Sequence, residues 1–307
     1  MSNPSFNIAA VERDTGLSKD VLRMWERRYG FPVPDRDANG ERSYPAEQVD
    51  RLRLIKRLMD MGHRPGKLLA LPGAELNALA PRRAAAQQRD SASGSDVADL
   101  LALIKQHDGA AYQQAMQQRL ARQGLQRFVQ DTVAPLTQRV GEAWEDGRFE
   151  VFEEHLFTEL TKRLLRQAIA ALPGGSQGPR ILLTSVPEEA HVLGLLMVEA
   201  LFALEGAECI PLGTQMPLLE IGRAAVAHHA DIVALSFSAA FPQRQIPALL
   251  QQLRRLLPAP VALWAGGGGI LRLARLDGVA LLPGLDEALA ALADWRSGQT
   301  GTATVTA

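Results

Sequence analysis

The spacing of hydrophobic positions divides the chain into three parts. Up to about residue 80, apolar side chains recur three to four residues apart in short segments such as 19–29, which predicts short amphipathic helices. Residues 96–172 continue the helical period without a strand signal and contain three glycine breaks, so four helices of a bundle are expected. These breaks lie near Gly109, Gly124 and Gly147.

Beyond residue 180 the pattern changes to short β-branched or apolar runs that alternate with helical stretches. The five strand candidates are Arg180–Val186, Glu208–Leu212, Asp231–Phe237, Val261–Ala265 and Val279–Leu282. Alternation of this kind predicts an α/β domain with a doubly wound, flavodoxin-like parallel sheet, in which ligands bind at the carboxyl ends of the strands.

Two segments of small and polar residues, 81–95 and 173–179, are typical of linkers. The chain is therefore expected to be a multidomain α and α/β protein. Its predicted parts are an N-terminal unit at 1–80, a linker at 81–95, a four-helix bundle at 96–172, a sheet domain at 180–296 and a flexible tail at 297–307.

Charge is distributed unevenly, although the net charge of the whole chain is −1. Residues 1–89 hold 16 Lys and Arg against 11 Asp and Glu, and the remainder holds 17 against 23. A basic module followed by an acidic one is expected when only the first meets a polyanion. The single cysteine, Cys209, excludes a disulfide framework and a thiolate zinc site within one chain.

The first residues lack the charged and apolar regions of a signal peptide, and no apolar run approaches the roughly 20 residues that span a bilayer. We therefore expect a cytoplasmic protein with no membrane partner.

The N-terminal unit has the order of elements of a helix-turn-helix. A short helix at 8–13 precedes a turn with Gly16, and Ser18 is placed to cap a second helix at 19–29. The segment 22–30 (LRMWERRYG) resembles the recognition helix of MerR-type transcription regulators, and 39–44 (NGERSY) resembles their wing. The resemblance implies a winged helix-turn-helix that binds a double-stranded DNA operator.

By this resemblance, a set of basic and aromatic side chains contacts phosphates or base edges. The implied DNA-binding residues are Arg23, Arg27, Arg28, Tyr29, Arg42 and Tyr44, with Arg42 reaching a phosphate or the minor groove. The alternative for these arginines is a solvated helix face without a partner.

A candidate metal ligand follows the first strand of the sheet domain. His191 has a carboxylate two residues before it, Glu189, and a glycine three residues after it, Gly194. One ring nitrogen of such a histidine can coordinate a metal while the other donates to the acid. Taken alone the pattern is weak, because a lone histidine is more often a core or capping residue.

Later polar and glycine positions strengthen this hypothesis. Ser236 and Ser238 end the third predicted strand, and a run of four glycines at 266–269 follows the fourth. In this order the segments resemble the cobalamin-binding domain of methionine synthase and the carbon-skeleton mutases. Glu189 stands where that family usually has aspartate, and Ser238 where it has threonine or leucine.

The resemblance implies base-off cobalamin binding, in which His191 ligates cobalt and the displaced nucleotide tail passes the serines and glycines. The cofactor-binding residues that it implies in this domain are Glu189, His191, Gly194, Ser236, Ser238, Gly266, Gly267 and Gly268.

The helical bundle carries a further motif, W-x-x-G-x-x-x-V-x-x-E-H. It resembles the helical cap of the cobalamin photoreceptor repressors of the CarH/LitR family, in which the tryptophan packs over the adenosyl group. The implied cap residues are Trp144, Val151, Glu154 and His155. Relatives have a cobalt-capturing histidine after the tryptophan, whereas this chain has Glu145.

Together these resemblances imply a transcriptional regulator, most simply a repressor and not an enzyme. It would bind adenosylcobalamin or another cobalamin form, act as a dimer or tetramer, and respond to light through cobalt–carbon photolysis. Three alternatives stay open. They are a light-independent sensor of cobalamin level, a subunit of a cobalamin enzyme, and a cofactor-free relative controlled by a protein partner.

Overall fold

The protein is described by a computed structural model in which two compact units divide after Gln87. The described residues are 5–36, 40–60, 63–79, 97–174 and 178–303. The predicted linker at 81–95 and the wing residue Asn39 lie outside them.

The first unit, hereafter the head, consists of short helices and a small antiparallel sheet with the strand order β1-β3-β2. Its elements are β1 (Ser5–Asn7), α1 (Ile8–Thr15), α2 (Lys19–Tyr29), β2 (Asp35–Arg36), β3 (Arg42–Pro45), α3 (Ala46–Asp60), α4 (Pro65–Leu69) and α5 (Gly73–Leu79).

Local signals in the sequence set the ends of the first two helices. The Asn7 side chain accepts a hydrogen bond from the Ala10 amide at 2.8 Å and caps α1, and Ser18 caps α2 in the same way. Gly16 and Gly30 end these helices in the left-handed region, both with φ 68°. The predicted helix–turn–helix is therefore confirmed.

The second unit begins with the predicted four-helix bundle, hereafter the cap. Its helices are α6 (Ala98–Lys105), α7 (Gly109–Gln123), a third helix made of α8 (Leu125–Arg127), a π-helical stretch (Phe128–Val133) and α9 (Ala134–Glu145), and α10 (Val151–Ala170). Gly109 starts α7, and Gly124 and Gly147 separate the later helices at positive φ, where glycine is favoured. The helix widens to π geometry just before Pro135, which has no amide to donate.

All five predicted strands are present and form one parallel sheet with the order β5-β4-β6-β7-β8. The strands are β4 (Arg180–Thr184), β5 (Glu208–Gly213), β6 (Ile232–Ser236), β7 (Ala262–Gly266) and β8 (Ala280–Leu282). The intervening helices are α11 (Leu193–Leu204), α12 (Leu218–Ala227), α13 (Ile246–Leu256) and α14 (Leu285–Ala303).

Successive side chains of the strands enter different cores, as the two-residue period requires. Ile181 and Leu183 pack with α11 and α14 on one face, whereas Leu182 packs with α12 and α13 on the other. Helices on both faces confirm the predicted doubly wound sheet. The helix α14 continues to Ala303, so residues 297–303 are helical where a flexible tail was expected.

The cap and the sheet domain share a hydrophobic core. Side chains of α11, among them Leu196 and Ala200, belong to the same buried cluster as Phe128 and Leu165 of the cap. The cap is therefore seated directly on the helix that follows β4. No helix in the described ranges is long and apolar enough to cross a membrane.

Candidate functional site

The candidate site lies where three neighbouring parallel strands end. β4 ends at Thr184, β6 at Ser236 and β7 at Gly266, and these strands are adjacent in the sheet. The carboxyl ends of parallel strands meet at one edge, so the segments after them are brought together. The Glu189–His191 segment, Ser238 and the glycine run therefore come from different parts of the sequence to one place.

Glu189 is the centre of this arrangement, and only 1% of it is exposed. Its Oε1 accepts hydrogen bonds from the His191 backbone amide at 3.0 Å and lies 2.7 Å from the His191 Nδ1. Its Oε2 accepts from the backbone amide of Ser238 at 2.7 Å and from the Ser238 hydroxyl at 2.9 Å. The carboxylate thus joins the loop after β4 to the loop after β6.

The electrostatics of Glu189 determine the orientation of the histidine. Burial raises the pKa of Glu189, but the hydrogen bonds from His191 and Ser238 outweigh burial and leave the pKa below its usual value. The ionised carboxylate favours a proton on Nδ1, so a metal would be coordinated through Nε2. The His191 side chain is 60% exposed, in contrast to its buried carboxylate partner.

The loop that carries Glu189 is held by a residue that the sequence did not reveal. The buried Ser185 donates from its hydroxyl to the Glu189 carbonyl at 2.5 Å and accepts from the Gln215 amide at 2.9 Å. Its own carbonyl accepts from the Met216 amide at 3.0 Å. A serine directly after an apolar strand was the available signal, but a serine there is common in many kinds of loop.

Gly194 lies against the end of β6. A Cβ built on Gly194 would be 2.6 Å from the Ser236 hydroxyl oxygen, which is closer than real Cβ contacts come. The absence of a side chain therefore lets the start of α11 approach the strand that carries Ser236.

The glycine run makes a similar close approach to the loop after β6. Gly267 has φ 92°, and a Cβ there would overlap the Phe237 carbonyl oxygen. A Cβ on Gly269 would be 2.6 Å from the Ser238 carbonyl oxygen, so this glycine, absent from the predicted site, is needed as well. A Cβ on the neighbouring Gly268 would be 3.3 Å from the Ala239 Cβ, which is also a tight contact. The glycines therefore fix the position of the loop that bonds Glu189.

The cap motif surrounds the turn between α9 and α10. Trp144 lies in the last turn of α9 and packs against the buried core of the cap. Val151 begins α10, and Glu154 and His155 follow in its first two turns. The Nδ1 of His155 lies 2.9 Å from the Glu154 Oε2, and the His155 side chain is 72% exposed.

Glu153 holds this turn in place, although no sequence pattern indicates this role. It is almost fully buried, and its Oε2 accepts from the Lys105 ammonium at 2.9 Å and from the Glu150 amide at 2.8 Å. The Lys105 ammonium also donates to the Arg148 carbonyl at 2.9 Å, and His107 lies 3.2 Å from Oε1. Burial raises the pKa of Glu153, but these hydrogen bonds outweigh it and lower the pKa overall.

In the head, most of the predicted DNA contacts are exposed on α2. Arg23, Arg27, Arg28 and Tyr29 are all exposed there. Arg28 stacks on the Tyr29 ring, with its guanidinium carbon 5.4 Å from the ring centroid. The structure thus brings these four side chains onto one helix that ends at Gly30.

The two wing residues are less exposed than the four side chains on α2. Tyr44 is fully buried in the core of the head with Leu22 and Trp25, so the predicted DNA contact of Tyr44 is wrong in this conformation. Its β3 position explains the burial, because alternate side chains of a strand that packs on helices point into the core. Arg42 is half-buried, and its Nε lies 2.9 Å from the Glu26 Oε2.

Comparison with known proteins gives these sites a context. A family model described as MerR HTH family regulatory protein matches residues 6–68, and one described as B12 binding domain matches residues 97–169. The HTH-type transcriptional repressor CarH of Myxococcus xanthus is 30% identical over 270 residues, which cover 87% of this chain and 90% of the relative. The repressor CarA of the same organism is 29% identical over 268 residues, covering 86% and 87%.

The chain belongs to the CarH-type cobalamin-binding MerR regulators.

As a CarH-type regulator the protein binds DNA and cobalamin, and its relatives are regulators of transcription rather than enzymes. A solved structure of similar fold is the monomethylamine corrinoid protein of Methanosarcina barkeri. It has a TM-score of 0.51 at 16% identity and covers 63% of this chain and 95% of its own. The likeness supports the predicted fold of the cap and sheet domain.

The residues of this CarH-type chain fit a corrinoid. A single imidazole, oriented by a buried carboxylate, stands at the edge of the sheet where ligands of this fold bind. Among the described residues no group of three His, Cys, Asp or Glu side chains could hold a bare metal ion. A cobalt ion in a corrin is already coordinated by the macrocycle, so it needs only one ligand from the protein.

Proposed function

We propose that this regulator is a repressor that binds adenosylcobalamin, stays on DNA as an oligomer in the dark, and releases DNA in light. The observation that carries the proposal is the bonded triad of His191, Glu189 and Ser238 at the edge of the sheet, on a domain that shares its core with a tryptophan-bearing cap. The likeness to the repressor CarH supports the regulatory output.

In this proposal each half of the site has a separate task. His191 would ligate cobalt, and Ser236, Ser238 and the glycines at 266–268 would accommodate the nucleotide tail. Trp144, Val151, Glu154 and His155 would contact the adenosyl group. An adenosyl group on cobalt supplies a cobalt–carbon bond that visible light cleaves.

The protein's own residues would turn that event into an assembly change. Trp144 packs on the core that the cap shares with α11. Loss of the adenosyl group next to Trp144 would therefore alter the interface between the cap and the sheet domain. If only the undisturbed interface favours the oligomer, light shifts the population toward single chains. Oligomeric chains hold several heads on adjacent sites, and loss of assembly then lowers affinity through lost multivalency.

The first test is the visible absorption spectrum of the protein mixed with adenosylcobalamin in darkness, desalted, and then exposed to green light. A corrin spectrum that survives desalting and changes in light is expected for the wild type, and none should survive for His191→Ala. His228→Ala removes an exposed histidine at the end of α12 and serves as the matched control. Equal retention by His191→Ala and wild type would contradict the proposed ligand.

The light response needs its own readout. Size-exclusion elution and binding to a duplex selected by the wild-type protein are measured before and after illumination. The proposal predicts that light lowers both the apparent mass and the DNA affinity. An unchanged elution volume and affinity, with cofactor retained, would exclude light as the signal.

A light-independent sensor of cobalamin level is a second candidate. It is favoured by Glu145, which occupies the position where the family resemblance implies a histidine after the tryptophan. A carboxylate is a poorer ligand for a corrin cobalt than an imidazole, so a stable second protein ligand after illumination is not provided at that position. DNA binding that depends on added cobalamin but not on light would establish this candidate.

A further inference from the structure

A forked ion pair joins the recognition helix to the wing. The Nε of Arg42 on β3 lies 2.9 Å from Oε2 of Glu26 on α2, and an Nη2 contact reaches Oε1 at 3.4 Å. Both side chains are only about a quarter exposed, with fractions of 28% and 27%. Two nitrogens on two oxygens fix the angle between the partners as well as the distance between them.

Buried neighbours on β3 and α2 direct the Arg42 and Glu26 side chains toward each other. Arg42 and Tyr44 are two residues apart on β3 and therefore share a face of the strand. Tyr44 is fully buried against Leu22 and Trp25 of α2, so the same face directs Arg42 toward that helix. On α2, Glu26 is one turn after the buried Leu22 and lies above the same contact.

The strands of the wing are also held to each other. β2 and β3 pair with Arg36 opposite Arg42, and the Arg36 guanidinium donates to the Gly40 carbonyl at 2.8 Å. β2 and β3 are thus paired, and the Glu26–Arg42 pair links β3 to the recognition helix.

We infer that Glu26 and Arg42 are positioning residues for DNA recognition, which hold the wing at a fixed angle to the recognition helix. Arg42 then acts through Glu26 and not as a phosphate ligand. The inference deepens the DNA-binding part of the proposed function and rests on it.

The direction in which Glu26→Gln changes the DNA affinity distinguishes the two possible roles of Arg42. An acidic side chain near DNA repels phosphates, so removing its charge ordinarily strengthens binding. If Arg42 binds a phosphate, Glu26→Gln releases it and raises affinity. If the pair positions the wing, Glu26→Gln lowers affinity, by about tenfold for the loss of a charged hydrogen-bonded contact.

The experiment measures binding of the full-length protein, at one fixed cofactor state, to a duplex selected from random sequence by the wild type. The variants are Glu26→Gln, Arg42→Gln and the double variant, each at several salt concentrations. Asp20→Asn is the matched control, since it removes an exposed acid from the same helix. Thermal unfolding of each variant verifies that the head is folded.

Positioning predicts that each single variant weakens binding, that the double variant is no weaker than the worse single, and that the salt slopes are unchanged. It also predicts that a scrambled duplex is bound equally by all variants, because only register-specific contacts depend on the wing angle. A phosphate contact by Arg42 predicts instead a salt slope smaller by about one for Arg42→Gln and stronger binding by Glu26→Gln. Either of these two results overturns the inference.

Arg42→Lys provides a second variant that keeps the charge but loses the fork. Positioning predicts that it behaves as Arg42→Gln does, whereas a phosphate ligand would be largely preserved by lysine. Wild-type protein that selects no duplex would refute DNA binding itself, and this result is distinct from a failure of the inference.

Discussion

Arg166 on α10 and Glu199 on α11 form an ion pair between the cap and the sheet domain. An Nη1 of Arg166 lies 2.9 Å from Oε2 and 3.1 Å from Oε1 of Glu199. The carboxylate is almost fully buried while the guanidinium is partly exposed. Burial raises the pKa of Glu199, and the attraction of Arg166 only partly offsets this effect.

This pair predicts a pH dependence of stability. Because the folded state holds the Glu199 proton more tightly than the unfolded state, its contribution is fully present below the unfolded pKa and is lost as pH rises through the folded pKa. Glu199→Gln should abolish that loss, and Arg166→Ala should enlarge it. Urea unfolding from acidic to neutral pH measures this, and an identical profile for Glu199→Gln and wild type would contradict it.

Glu153→Ala is expected to lower the free energy of unfolding by about 2 kcal/mol, because it leaves the Glu150 amide and Lys105 without their buried acceptor. Glu159→Ala, on the exposed side of the same helix, breaks only the surface pair with Lys162 and should cost far less stability. Denaturant unfolding compares the two. Equal losses would show that Glu153 is no more important than a surface acid.

Gly267→Ala should destabilise the sheet domain by about 2 kcal/mol, because it combines a left-handed φ with overlap on the Phe237 carbonyl. Gly141→Ala, in the open middle of α9, should stabilise the protein by about 0.5–1 kcal/mol. Thermal unfolding distinguishes the signs. If Gly267→Ala left the stability unchanged, the loop after β6 would have to move away from the added Cβ at little cost.

Tyr44→Phe tests whether the buried Tyr44 contributes to DNA binding. The Tyr44 hydroxyl is buried and finds no hydrogen-bond partner among the described residues. Removing it should leave stability unchanged or raise it by up to about 1 kcal/mol, with DNA affinity unaltered. Calorimetry and DNA titration are the measurements, and weakened DNA binding at unchanged stability would restore the original prediction for Tyr44.

Glu189→Gln should lower cobalamin affinity by about 10- to 100-fold, since it removes the charge that orients the His191 ring. Ser238→Ala keeps the carboxylate and removes one of its donors, so its effect should be smaller. Absorbance titration with adenosylcobalamin measures both. A larger loss for Ser238→Ala would place the important contact at the serine.

The elements of the fold were predictable because they are local. Ser18, Gly16 and Gly30 mark helix ends in the sequence, and the five apolar runs after residue 180 match the strands closely. The π-helical stretch before Pro135 was not predictable, because the spacing of hydrophobic residues there does not differ from that of an α-helix. The end of α14 at Ala303 was also missed, because the polar residues there carry little hydrophobic signal.

The candidate site was predictable only where a motif lies within a few residues. The Glu189–His191 contact follows from sequence proximity, whereas the bond from Ser238 to Glu189 joins residues 49 positions apart. Ser185 and Glu153 were missed because single polar residues acquire meaning only from burial and from partners on other elements. Tyr44 was misassigned, since strand alternation in so short a wing does not reveal which side is inward.

The Glu189 carboxylate that contacts His191 is held by the loops after β4 and β6, and both loops belong to the sheet domain. The contacts that hold this carboxylate therefore lie within one domain, and a different helical cap could be joined to that domain without changing them. In evolutionary terms, such a protein could acquire a different cap, and with it a response to a different signal, while the contacts that orient His191 are conserved.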